Sequence, residues 1–334
     1  MAVEDDDTVR LRPARSRPVA AAAPSARPRP AGGHPARWLA AGAAGLALAA
    51  AIGWTALRLA APGPVAELPP PAPVQPVPAV ATVPEPAPEP VRLLPEADIA
   101  DHRSVWPTLL RLAENPRVFV MDFPDLATQG AALNRVAAMI EKAGLPRDRV
   151  LPEAEMAAVL ARAGETAETY YFGHDYRGAD LDRFFAAAAR DGLALSEAER
   201  WVEAQLARAR ALAGPGEVAL ISVAAPGARL DAAARRTILH HEVGHGHDFT
   251  LPFYAAHVRR VWAERFTEAD RAAFRDFLGR EGYDTTNEDL MAGEMQAYLL
   301  FTPDERFFSP RIVGLAPERV EDLRQMLRER APLP

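Results

Sequence analysis

Eight residues, His240-His241-Glu242-Val243-Gly244-His245-Gly246-His247, hold half of this chain's eight histidines. Within them lies His-Glu-x-x-His, residues 241–245. The spacing demands a helix, because residues four apart on a helix stand on the same face. Two imidazoles then reach one metal ion, and Glu242 leaves the helix beside them, within reach of a water on that metal. The flanks agree. Leu230 to Phe249 contains no proline, places Ile238, Leu239 and Val243 around the histidines, and is followed by Pro252 as a stop signal. A chance match in an ordinary buried helix is the competing reading, and it requires two imidazoles and a carboxylate to find other partners within one turn.

Composition narrows the chemistry. The chain has 334 residues and no cysteine, which excludes disulfides and thiolate ligands and leaves His and carboxylate to bind any metal. Its net charge is −7, and no basic patch with interleaved aromatics appears, so a nucleic-acid partner is not expected. Lys142 is the only lysine.

The N-terminal third reads as three segments. Residues 1–37 carry seven arginines and four acids among many prolines and alanines, the composition of a disordered tail. Trp38 to Leu57 then runs without a charge. At ~1.5 Å per residue it spans about one bilayer core, so residues 38–61 are expected to form a single transmembrane anchor rather than a cleaved signal peptide. The arginine excess before it puts the tail in the cytoplasm. The C-terminal domain is then expected on the far side of the inner (plasma) membrane, periplasmic or extracellular. Ala41, Gly45, Ala49 and Gly53 form a small-residue stripe, a weak hint of dimerisation. Residues 62–95 contain thirteen prolines and read as a semi-rigid spacer.

Residues 96–334 are expected to form the folded domain, a helix-rich α+β architecture with few strands. Val118–Phe123 and Glu217–Ala224 read as strands, and Tyr170–Tyr176 as strand or loop. Helices are expected over Leu126–Ala143, Pro152–Ala163, Asp180–Arg190, Ser196–Ala213, Leu230–Phe249, Pro252–Glu264, Thr267–Arg280, Asn287–Phe301 and Pro317–Arg330. Ser196 and Glu199 make a capping box.

Catalytic zinc usually takes three protein ligands and leaves one position for water. Glu294 shares a helical face with Leu290, Ala297, Tyr298 and Phe301, and a carboxylate inside an apolar stripe is costly unless it is paired or holds a metal. It is the favoured third ligand. Glu288 and Asp289 sit at the helix start, where acids are favoured in any case; they, Asp248 and His247 remain alternatives. Tyr298, one turn beyond Glu294, either hydrogen-bonds a ligand or is ordinary core. His102, His174 and His257 stand alone and read as surface or core histidines.

A His-Glu-x-x-His helix followed some fifty residues later by a Glu-bearing helix resembles the gluzincin metallopeptidases over residues 217–301. The resemblance implies zinc held by His241, His245 and Glu294, and Glu242 as the base that deprotonates a water on that zinc. It also implies that strand Glu217–Ala224 docks the substrate backbone. One departure is plain: the acid expected one turn past the third ligand is replaced by Tyr298. Tyr283, Tyr298 and His247 are the candidates for stabilising an oxyanion. The expected function is that of a membrane-anchored zinc metallopeptidase acting on protein or peptide outside the cytoplasm. A non-catalytic envelope scaffold with a structural metal, and a hydrolase of non-peptide amides, are the alternatives; a structural site has no need of Glu242.

Overall fold

The computed structural model describes residues 90–332. Five strands form one mixed sheet: β1 (Arg92–Leu94), β2 (Thr108–Leu112), β3 (Val118–Phe123), β4 (Gly173–Arg177) and β5 (Ala219–Ala224), in the order β1-β2-β3-β5-β4. The pair β3/β5 is parallel, while β2/β3 and β5/β4 are antiparallel. All residues of β3 and β5 are buried, as expected of largely apolar central strands covered on both faces.

Helices cover both faces, and the alternation along each strand decides which core a residue joins. Phe119, Met121, Phe123 and Leu220 pack against α2 (Leu126–Ile140), α4 (Gly178–Arg190) and α5 (Glu197–Ala213). Val118, Val120, Ile221 and Val223 face the other way. They meet α6 (Ala232–Thr250), α8 (Glu268–Glu281), α9 (Glu288–Phe301) and α11 (Pro317–Arg328). Between α6 and α8 lies α7 (Pro252–Arg260), whose end widens into a π-turn at Val261–Arg265. Around α3 (Glu153–Ala163), Met156 packs with Tyr170 and Tyr171 in a smaller core.

The capping box read from sequence is present: Ser196 and Glu199 form it reciprocally at the start of α5. Asp231 caps α6 through the Ala234 N–H, and Asn287 caps α9 through that of Leu290. Strands β1 and β2 were not foreseen, being short and flanked by turns, and the ambiguous Tyr170–Tyr176 stretch becomes strand from Gly173 onward.

Helix α6 is fixed at both ends by tight packing. Near its start, Arg235 is fully buried and donates to the carbonyls of Ile99, Ala100, His102 and Ala224 at 2.8–3.2 Å. It also pairs with Asp122 on β3 at 2.9 Å, and Asp122 accepts from His102 Nδ1 at 2.5 Å. Further along, two glycines permit close approach: a Cβ on Gly244 would lie 2.6 Å from the Phe301 ring of α9, and one on Gly246 would lie 2.8 Å from Val118 of β3.

The expected transmembrane anchor and the membrane-bound, periplasm-facing location built on it are corrected. Among the described residues no helix is long and apolar enough to cross a membrane. The reason is visible in the longest of them: α6 has 19 residues but carries Arg235, Arg236, Glu242 and Asp248. Residues 1–37, 38–61 and nearly all of 62–95 lie outside the described residues.

Candidate metal centre

Helices α6 and α9 cross with their polar residues turned inward. His241 and His245, one turn apart on α6, bring their Nε2 atoms to 3.2 Å. Glu294 of α9 places Oε2 3.7 Å from each of these nitrogens. All three side chains are buried, and together they form a group able to hold a metal ion. The distances test the fit. A point equidistant from corners separated by 3.2, 3.7 and 3.7 Å lies about 2.1 Å from each, and zinc is bound at ~2.0–2.2 Å by imidazole nitrogen and carboxylate oxygen. The three separations are therefore compatible with one shared ion.

The histidine tautomer is fixed from behind. Thr302, immediately after α9, donates its hydroxyl proton to the Ala297 carbonyl at 3.0 Å. Its oxygen is therefore free to accept from His241 Nδ1, 2.9 Å away. With the proton held on Nδ1, the lone pair of His241 sits on Nε2 and points at the convergence point, the arrangement that orients metal-binding histidines generally.

Edge strand β4 runs along α6, and its alternate residues meet successive turns of the helix. Gly173 abuts Glu242 so closely that a Cβ there would lie 2.2 Å from Oε1. Asp175 places Oδ1 3.8 Å from His245 Nδ1. Arg177 lays its guanidinium 4.3 Å from the centroid of the Phe249 ring. His174 and Tyr176 point to the opposite side; His174 Nδ1 is 3.0 Å from Ser222. Asp175, Glu242 and His245 form a second, overlapping group of possible metal ligands. The strand expected to dock substrate, Glu217–Ala224, is interior: β5 is paired with β3 on one side and β4 on the other, so the outer edge beside α6 belongs to β4.

Charge accumulates in this pocket. Burial, then the neighbouring Asp175 carboxylate, pushes the Glu242 carboxyl well above the ordinary range, with His245 opposing and Glu294 adding to the rise. Burial alone would pull His245 down, but Asp175, Glu294 and Glu242 outweigh it and raise its pKa to about 10. Glu242 Oε2 has no hydrogen-bond partner among the described residues. A buried carboxylate left in this state is costly, and a cation beside it removes the cost.

The other candidate ligands have different partners. Glu288 accepts from Trp262 Nε1 at 2.7 Å and pairs with Arg275 at 2.7 Å. Asp289 and Asp248 both pair with Arg259. His247 is 3.0 Å from the Asn115 amide, and burial lowers its pKa to about 4. Tyr298 meets the His241 ring edge-on at 4.8 Å and also packs on Phe277 and Phe308. His102 and His257 are likewise engaged elsewhere, with Asp122 and the Met326 carbonyl. Gly173, Asp175 and Thr302 escaped the sequence reading. Their signals were an alternating Gly-x-Asp-x-Arg before a helix and a threonine eight residues after Glu294.

No family model, no curated protein and no solved structure matches this chain.

Proposed function

We propose that this domain is a zinc-dependent hydrolase of peptide bonds. The observation that carries the reading is Glu242, a buried carboxylate with an oxygen that lacks a hydrogen-bond partner among the described residues, set beside a His241–His245–Glu294 group of suitable dimensions. A purely structural metal site closes its coordination and has no need of an unsatisfied acid at its mouth.

His241, His245 and Glu294 would hold the ion, and Thr302 would keep His241 in the binding tautomer. When bound, zinc at such a site supplies a Lewis acid that polarises a carbonyl and makes water a stronger acid. Glu242 accepts the proton of the attacking water and returns it to the departing amine. Burial and the Asp175 carboxylate, which raise its pKa, favour its holding that proton between the two transfers. The free edge of β4 offers main-chain hydrogen bonds to an extended substrate.

The test uses the full-length protein, loaded with zinc and screened against a diverse peptide library. Glu242→Gln should retain zinc and fold while lowering hydrolysis about 10²–10⁴-fold. Full activity in Glu242→Gln, against a peptide that chelation protects, would overturn the assignment.

A further inference from the structure

The cleft that opens beside His245 is lined by charged residues, and their pairing is uneven. Its arginines are Arg177, Arg183 and Arg259. Arg259 is taken by Asp248 and Asp289. Arg183 reaches Asp180 at 3.5 Å. Arg177 has no carboxylate within ion-pair distance among the described residues; its one described contact is the stack on Phe249.

That stack gives Arg177 a defined posture. A guanidinium held over a ring keeps its N–H donors in its own plane, a fork that matches a carboxylate. The cation is thus held by an apolar face and its hydrogen bonds remain unspent. Its position follows from two distances. The guanidinium carbon is 4.3 Å from the Phe249 centroid, and that centroid is 6.1 Å from the His245 ring. Arg177 therefore stands no more than about 10 Å from the metal-binding imidazole, or about three residues of extended chain at ~3.3 Å each.

We infer that Arg177 is a specificity-determining residue, one that binds a carboxylate of the peptide within about three residues of the bond being cleaved. The inference rests on the peptidase reading above for its substrate class. The carboxylate is either an acidic side chain or the peptide's own C-terminus; both present the same two oxygens. Of the five acids that line the cleft, Asp180, Asp248 and Asp289 lie on the other two arginines, Asp175 is 3.8 Å from His245 Nδ1 and Glu141 is 3.5 Å from the Tyr176 hydroxyl; none of them is paired with Arg177.

The experiment separates binding from cleavage. Matched peptides carry Asp or Glu, the amides Asn or Gln, or Lys at each position up to three residues either side of the cleaved bond, each with a free or amidated C-terminus. Binding is read by fluorescence anisotropy on zinc-loaded, full-length Glu242→Gln, and cleavage on the wild type. Carboxylate peptides should bind about 10- to 100-fold more tightly than their amides. Adding Arg177→Gln should erase that difference without loss of zinc, and Arg177→Glu should shift preference toward Lys. A preference confined to free C-termini identifies the terminal carboxylate; one that follows Asp or Glu identifies the side chain. Equal binding of carboxylate and amide peptides, or a difference that survives Arg177→Gln, overturns the inference. Carboxylate-selective binding through Arg177 with no cleavage of any peptide leaves it standing and sinks the peptidase reading instead.

Discussion

Helix α6 carries two buried polar clusters, and they are built on opposite principles. Near its start, Arg235 spends its guanidinium on four carbonyls and Asp122, and Asp122 is completed by His102. Two turns later, Glu242, Glu294 and Asp175 crowd around His245. There Asp175 and Glu294 add to the rise in the proton affinity of buried Glu242 instead of satisfying it. Burial is equally deep in both places, so depth alone does not distinguish a structural cluster from a chemical one. The distinction lies in whether the groups complete each other or await something from outside.

The comparison breaks most sharply under mutation of each cluster in the metal-free protein. Arg235→Met leaves Asp122 buried without its strongest partner and should cost about 3–5 kcal/mol. Glu242→Gln removes a carboxyl whose charged form burial and Asp175 disfavour, and should stabilise the same metal-free protein by on the order of 1 kcal/mol. Denaturant unfolding with chelator present measures both; two changes of the same sign would show that the clusters are alike.

A second contrast is set by pH. His245 and His247 are two residues apart, yet one is raised to about 10 and the other lowered to about 4. A raised pKa means that His245 holds its proton below pH 10, and a cation must displace that proton to bind. Zinc affinity should therefore weaken as pH falls, by about tenfold per unit for each proton released, or about 100-fold between pH 8 and pH 6. Competition with a chelator of known affinity reads this directly, and a flat profile would place His245 outside the ligand set.

The smallest expected effect sharpens the role of the supporting hydrogen bond. Thr302→Val keeps the shape but removes the acceptor for His241 Nδ1–H, and should weaken zinc binding about 10- to 100-fold. Unchanged affinity would mean that packing against Tyr298 alone orients the ring.

How much of this was legible in the sequence depended on periodicity. His241, His245 and Glu242 sit at helical spacing, and Glu294 betrays itself as an acid inside an apolar stripe, so each was readable within its own helix. Strands β3 and β5 announced themselves as short, largely apolar runs. Asp175, Thr302 and Arg235 were not readable, because each acquires its role from an element distant in sequence: Asp175 from α6, Thr302 from His241 some sixty residues earlier, and Arg235 from the carbonyls at the end of α1 (Glu96–Asp101). The docking strand was misassigned for the same reason. Which strand lies at the edge is a property of sheet order, and the local pattern of β5 contains no record that β4 pairs outside it.

Gly244 and Gly246 carry a consequence for how the centre is assembled. Each is a poor helix former, worth about 1 kcal/mol against alanine, and both lie in the turns that present the histidines. Alone, this stretch has little reason to coil. It becomes helical when Phe301 and Val118 close onto the bare backbone, and those contacts are the ones that bring α9, and with it Glu294, into range. The scaffold and the coordination sphere thus come into being in one event. A peptide excised around His241–His245 would make a poor trap for metal, and a half-made chain offers no competent site. Metal capture at this group would then depend on a finished fold.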